Sequence, residues 1–292
     1  MKQLIIKNQF KVLYGVLGLL IVINISALWY VNMQAPTETD TKTVVSLINP
    51  MRVFVADKDV IVNLQPLRKY LTDTYETDPG VSVYFEFLNT GANISISKDA
   101  KFFPASLLKV PIIMAAVKNI EEGKWKWNTE LTLVESDKDS HFGTLYKQLV
   151  GTRVSIESLI EKMIKDSDNT AYYMTLRNLK KEAPQQSVWN HLGLQDFFTN
   201  DGKISAKRYA VVLRSLYNAA FLSKEDSSKI LTLLMKTPFT EYLEQGLPKG
   251  TEFAHKIGVI PSENVYMDAG IVYLPNRPYL LIVMTLNKFT YI

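Results

Sequence analysis

Ser106 and Lys109 stand three residues apart at the start of an apolar run, just after Pro104 and Ala105. On a helix, residues at that spacing share a face and can touch. A serine hydroxyl attacks poorly until a base takes its proton. A lysine made neutral by burial or by a neighbouring cation can be that base. The Pro-Ala pair suggests that Ser106 lies at a helix N-terminus, where unpaired amides favour developing negative charge. Two further short patterns follow, Ser167-Asp168-Asn169 and, near the end, Lys256-Ile257-Gly258. Together they supply an activated serine, a second serine able to relay a proton and a second lysine. These are the parts of acyl transfer through a serine ester.

Chance repeats of such patterns have to be weighed. Ser95-Ile96-Ser97-Lys98 also reads Ser-x-x-Lys. It falls in an alternating stretch that predicts a strand, where residues three apart point to opposite faces, so that pair is rejected. Asp168 reads as a hydrogen-bonding cap of the helix starting near Thr170 rather than as an acid catalyst. His255 reads as a structural histidine, because strand alternation turns it away from Lys256. His141 and His191 are far apart and lack ligand partners, so neither a metal nor any other cofactor is expected. Trp125 and Trp127 are expected to pack at a domain surface.

The elements that must hold these groups are legible from periodicity. Residues 63–77 carry Leu64, Leu67, Leu71 and Tyr75 at helical spacing. Residues 81–88 and 93–97 flank Asn89-Thr90-Gly91 and predict a β-hairpin. A helix is predicted over 106–122, stopped by Gly123, and a short strand over 130–134. Another helix opens at Ser155-Ile156-Glu157-Ser158, a capping pattern. Helical periodicity then runs, with breaks, to about Lys236. Three strand-like runs follow at 252–258, 265–274 and 279–286, the last two joined by a turn at Pro275-Asn276-Arg277. Strands at both ends of the chain can meet in one antiparallel sheet, with the helices as a second lobe and a cleft between them.

Composition narrows the class. The 292 residues are 47% hydrophobic and 21% charged, enough for a substantial core. The net charge is +4, but Lys2, Lys7 and Lys11 lead the chain, and the rest holds 30 basic against 29 acidic residues. Nothing there suggests a nucleic-acid partner. With no cysteine, disulfides, thiolate metal sites and a Cys nucleophile are excluded. Residues 12–31 carry no charge and are long enough to span a hydrocarbon core of about 30 Å. Tyr14, Trp29 and Tyr30 sit where interfacial anchors would. Lysines before this segment and acids after it predict a cytoplasmic N-terminus and an extracytoplasmic remainder. The segment is longer than a signal-peptide core, so an uncleaved anchor (1–33) is expected, then a polar tether (34–59) and a domain over 60–292.

Phe103-Pro104-Ala105-Ser106-Leu107-Leu108-Lys109, Ser167-Asp168-Asn169-Thr170-Ala171 and His255-Lys256-Ile257-Gly258 resemble the motifs of the penicillin-recognising serine hydrolases, above all the class A β-lactamases. The resemblance covers about residues 60–290. It implies an α+β fold, a five-stranded antiparallel sheet beside an all-helical lobe. It also implies that Ser106 is acylated, that Lys109 is its base partner and that Ser167 passes a proton to the leaving nitrogen. Asn169 would bind the substrate's amide side chain, Lys256 would attract its carboxylate, and the amides of Ser106 and Val259, beside Gly258, would form the oxyanion hole. The substrate implied is a β-lactam or a peptidoglycan-derived D-alanyl peptide, and the protein is expected to be a monomer. Three departures stand out. The stretch after Leu192-Gly193 is short and lacks the family's Glu-x-x-Leu-Asn, with only Glu182, Asp196 and Asp201 nearby. Ile257 replaces the hydroxyl residue of Lys-Thr/Ser-Gly, and the family's C-terminal helix finds no counterpart. A D-alanyl-D-alanine peptidase or transpeptidase, and a non-hydrolysing penicillin- or wall-binding module, are therefore the alternatives to a β-lactamase-type hydrolase.

Overall fold

A computed structural model describes residues 63–97, 100–182, 197–199 and 201–286. Residues 12–31, the tether and most of the stretch between Glu182 and Asp201 lie outside these, as do Lys98 and residues 287–292. Among the described residues no helix is long and apolar enough to cross a membrane.

The elements follow the predicted order. Helix α1 (Gln65–Tyr75) precedes the hairpin of β1 (Val81–Phe87) and β2 (Ala92–Ile96), whose turn contains Gly91 at φ +75°. A 3-10 turn, Ala105–Leu108, runs directly into α2 (Lys109–Glu121). The short strands β3 (Glu130–Thr132) and β4 (Arg153–Ser155) pair with each other. Four helices follow, α3 (Ile156–Lys165), α4 (Asn169–Glu182), α5 (Ala206–Tyr217) and α6 (Lys224–Leu234). The chain then returns through β5 (Glu252–Ile260), β6 (Val265–Tyr273) and β7 (Tyr279–Thr285).

The principal sheet has five strands in the order β2-β1-β7-β6-β5, all antiparallel. N- and C-terminal strands thus meet at β1–β7, as alternation at both ends of the chain required, and β5 is left as an edge. Each face buries its own core. Ala254, Met267, Ala269, Ile271, Ile282 and Met284 pack toward the helical lobe. Val81, Val83, Ile94, Phe253, Val272 and Val283 pack with Leu71 and Leu67 of α1 and with Leu243. Each fully buried aliphatic side chain contributes about 1.5–3 kcal/mol.

Local signals set the helix starts. The hydroxyl of Ser155 accepts from Ser158 N at 3.2 Å and begins α3, as its capping pattern predicted. Ser205 and Ser223 cap α5 and α6 in the same way. The 106–122 segment is helical as predicted, its first turn 3-10 and the rest α. One expectation is corrected. Trp125 is 5% exposed and belongs to the core, whereas Trp127 is only partly buried and lies under Lys229, whose Nζ is 3.5 Å from its ring centre.

Candidate active site

The 3-10 turn explains how Ser106 meets Lys109. With three residues per turn, positions i and i+3 eclipse, and Lys109 Nζ lies 2.8 Å from Ser106 Oγ. The same amine donates to Asn169 Oδ1 at 2.7 Å. Lys109 is 3% exposed, and burial pushes its ammonium down to about 8 against the pull of Asp168 and Asp139. The residue before the serine, Ala105, has φ +46°, a left-handed conformation that costs an alanine about 1–2 kcal/mol. Tyr209 of α5 holds the turn from below, donating its buried hydroxyl to Leu107 O at 2.9 Å.

The second serine sits where α3 gives way to α4. Ser167 has φ +49°, which reverses the chain between the helices. Asp168, fully buried, fixes that reversal. Its Oδ1 accepts from Ala171 N at 2.9 Å, and its Oδ2 accepts from Thr144 N and Leu145 N at 2.8 and 2.9 Å. It is the structural cap expected of it. Asn169 follows, donating to Asp139 Oδ1 at 3.0 Å while receiving Lys109. Burial alone would raise the Asp139 carboxyl, but hydrogen bonds from Asn169 and from the His141 amide and ring outweigh it and hold the group below its ordinary value.

Lys256 arrives on the edge strand. Its Nζ donates to Ser167 Oγ at 3.0 Å and to Ile257 O at 3.1 Å. It is 1% exposed. Burial, then repulsion by Lys109, drives its ammonium well below the ordinary lysine value, and Asp268 opposes them. Phe239, from the segment before β5, lies over it with 5.4 Å between Nζ and the ring centre. By alternation Ile257 faces away from Lys256, and it is 5% exposed.

Gly258 marks where β5 passes closest to the serine turn. A Cβ there would lie 3.1 Å from Pro104 O and 3.3 Å from Ala105 Cβ. Gly258→Ala is therefore expected to push β5, and Val259 with it, off the turn by a few tenths of an ångström. Acylation of Ser106 should fall about tenfold with little loss of thermal stability. Equal rates in the two proteins would refute this steric reading.

The predicted residues thus assemble into two linked amine–hydroxyl pairs, Lys109–Ser106 and Lys256–Ser167. Ser95 lies in β2 as expected of the rejected pair. His255, also as expected, points away from Lys256: its Nδ1 is 2.8 Å from Asp268 Oδ1. The sequence reading missed Asp139, Phe239 and Asp268. None lies in a recognisable motif, though each is held by a residue that does.

A sequence model of the β-lactamase enzyme family matches residues 66–288, most of the chain. The chain belongs to that family. Among solved structures, PBP-A shares 27% identity over 78% of this chain and 89% of its own, with a TM-score of 0.70. A variant of PBP-A is an acyl-enzyme complex with penicillin G. The β-lactamase from Sphaerobacter thermophilus (20% identity, 80% of this chain and 91% of that one, TM-score 0.68) shares the fold. So does one from Chitinophaga pinensis (18%, 79% and 93%, TM-score 0.67). No functionally curated protein matches the sequence significantly. The sheet and helical lobe are thus those of the β-lactamase-like serine hydrolases, as the three motifs implied.

Proposed function

We propose that this protein is an extracytoplasmic, membrane-anchored serine hydrolase of the class A β-lactamase type. It forms an acyl-enzyme on Ser106 with a β-lactam or a D-alanyl peptide. The 2.8 Å approach of a buried Lys109 amine, held near 8, to Ser106 Oγ carries this reading. In the neutral form that amine takes the serine proton as the hydroxyl attacks the carbonyl carbon. The amides of Ser106 and Val259 receive the developing oxyanion. As the tetrahedral adduct collapses, Ser167 gives its proton to the leaving nitrogen and recovers one through Lys256. Lys256 also attracts the substrate carboxylate, and residues 12–31 hold the domain, a monomer, at the outer membrane face.

A peptidase or transpeptidase output is the second reading, because the stretch after Leu192-Gly193 carries no Glu-x-x-Leu-Asn and Asp201 is taken up by Thr199 and by Lys203 at 2.9 Å. The full chain in detergent should be labelled by a fluorescent penicillin, and Ser106→Ala should abolish the label. An unlabelled wild type would sink the acyl-enzyme reading. A label persisting for hours supports slow deacylation, and rapid turnover of a chromogenic cephalosporin would overturn the peptidase output.

A further inference from the structure

Helix α4 carries a second group to the base amine. Tyr172 lies one turn beyond Asn169, so the two side chains share a face of the helix. Asn169 Oδ1 accepts from Lys109 Nζ at 2.7 Å, and the Tyr172 ring lies under the same nitrogen, with 5.8 Å between Nζ and the ring centre. The ring is held from two directions. Tyr173 meets it edge-on at 5.2 Å, and Tyr172 itself packs against the main core. Tyr173 is 42% exposed, whereas Tyr172 is partly buried, so Tyr172 is the inner ring of the pair. Burial, then the charge of Tyr173, pushes the Tyr172 phenol up to about 12. It therefore stays neutral where Lys109 titrates, and it cannot serve as a base beside it.

The Lys109 amine thus meets a hydroxyl, an amide oxygen and an aromatic face. Among the described residues no carboxylate touches it. Asp168 and Asp139 are the acids whose fields reach it, and Lys256 is the cation coupled to it by repulsion. The oxygens of Asp168 are taken by three backbone amides. Asp139 Oδ1 is taken by Asn169 and by the His141 amide and ring. A water held in a buried place needs about three polar partners. Once Ser106 carries an acyl group, its Oγ is an ester oxygen. Asn169 Oδ1, already accepting from Lys109, is then the polar atom left at the amine. On the Tyr172 side, a water approaching the ester meets carbon.

We infer that Tyr172 is a positioning residue for the second half-reaction: its ring closes one side of Lys109, keeps that amine dry and denies a deacylating water a place beside it. Slow deacylation then has a cause in the helical lobe, apart from the absent Glu-x-x-Leu-Asn. Hydrolysis of the ester requires the water oxygen to bond to the acyl carbon and the bond from that carbon to Ser106 Oγ to break. One proton passes from the water to Oγ by way of Lys109, which ends as it began. Tyr172 obstructs the approach of the water and takes part in none of these bonds. The inference rests on the reading of Ser106 and Lys109 given above, but one of its two tests needs no substrate.

Tyr172→Ala opens that side of the amine, and Tyr172→Phe keeps the ring. Full-length protein in detergent is labelled with a fluorescent penicillin and freed of excess reagent. Tyr172→Ala should then lose the label about tenfold faster than wild type, and Tyr172→Phe at the wild-type rate. The second test titrates the Lys109 Cε resonance of 13C-lysine-labelled protein, assigned by its loss in Lys109→Met. Burial is the cause that brings Lys109 down to about 8. Water admitted by Tyr172→Ala should therefore raise the midpoint by about one pH unit, in spite of the lost attraction between ring face and ammonium. Tyr172→Phe should leave it in place. A merely structural role would slow acylation and deacylation together and would not raise the midpoint. Label lost from Tyr172→Ala no faster than from wild type, or a midpoint unmoved or lowered, overturns the proposal. So does a Tyr172→Phe that behaves like Tyr172→Ala, since the role would then belong to the hydroxyl. Should Tyr172→Ala not fold, Tyr172→Val reads the same two quantities with the same expected signs. If wild-type protein is never labelled, the Ser106 reading fails while the lysine titration still decides this one.

Discussion

Lys109→Met is expected to slow acylation of Ser106 by about a thousandfold and yet to leave the fold more stable at neutral pH. Both effects follow from one cause. The amine sits 2.8 Å from the hydroxyl it would deprotonate, and burial brings its ammonium down from 10.5 to about 8. That shift makes a usable fraction neutral near pH 7, so the wild-type acylation rate should climb with pH through a midpoint near 8. A rate flat from about pH 5 to 9 would refute Lys109 as the base. The same shift is a stability cost. Between about 8 and 10.5 the unfolded chain binds a proton that the folded chain has released, so stability rises with pH across that window. Below it the full penalty applies, on the order of 3 kcal/mol. Methionine removes the buried charge, at the loss of the hydrogen bonds to Asn169 and Ser106. A gain of about 1–3 kcal/mol at pH 7 is the expected balance. Denaturant unfolding of both proteins at pH 7 and pH 10 measures it, and the difference between them should shrink at the higher pH. Losing Lys109 also relieves the repulsion that lowers Lys256, which adds to the gain at pH 7 with the same sign.

Sequence reasoning reached the two serine clusters because each is local. Ser106 and Lys109 are joined by one turn, and Ser167, Asp168 and Asn169 by another, so their relations depend on backbone geometry that short patterns encode. The hairpin, the capped start of α3 and the three C-terminal strands were legible for the same reason. What escaped was assembled from a distance. Asp139 meets Asn169 and Thr170 across 30 and 31 residues. Phe239, from the segment before β5, reaches Lys256 on an edge strand whose position depends on strand order. Alternation correctly turned His255 away from Lys256 but could not supply its partner, since Asp268 is brought beside it by the β5–β6 register. The 3-10 geometry of 105–108 was hidden too: Ser-x-x-Lys fits either helix type, and Ala105 at positive φ is a strain that no propensity signals.

The strain at Ser167 makes the loop facing it the place where one methyl group should do most damage. Gly143 has φ +85°, and a Cβ there would stand 2.1 Å from Asp168 Oδ2 and 2.4 Å from its Cβ. Asp168 cannot move aside, because its two oxygens take three backbone amides and it is fully buried. Gly143→Ala must therefore either expel the carboxylate or shift residues 142–145, whose Phe142 carbonyl also receives Asn169 N at 3.1 Å. Lost hydrogen bonds to a buried charge, added to backbone strain, give an expected destabilisation of about 3–5 kcal/mol. Acylation of the surviving folded protein should drop about a hundredfold as Ser167 and Asn169 lose their register. Gly151 is the control. Its φ is +92°, and nothing lies within 4 Å of the corresponding Cβ, so Gly151→Ala should lose only the conformational term, about 1–2 kcal/mol. Thermal unfolding of the two variants side by side decides the matter. Equal losses would mean that backbone strain alone acts at both glycines, and that Asp168 is free to yield where the geometry says it is held.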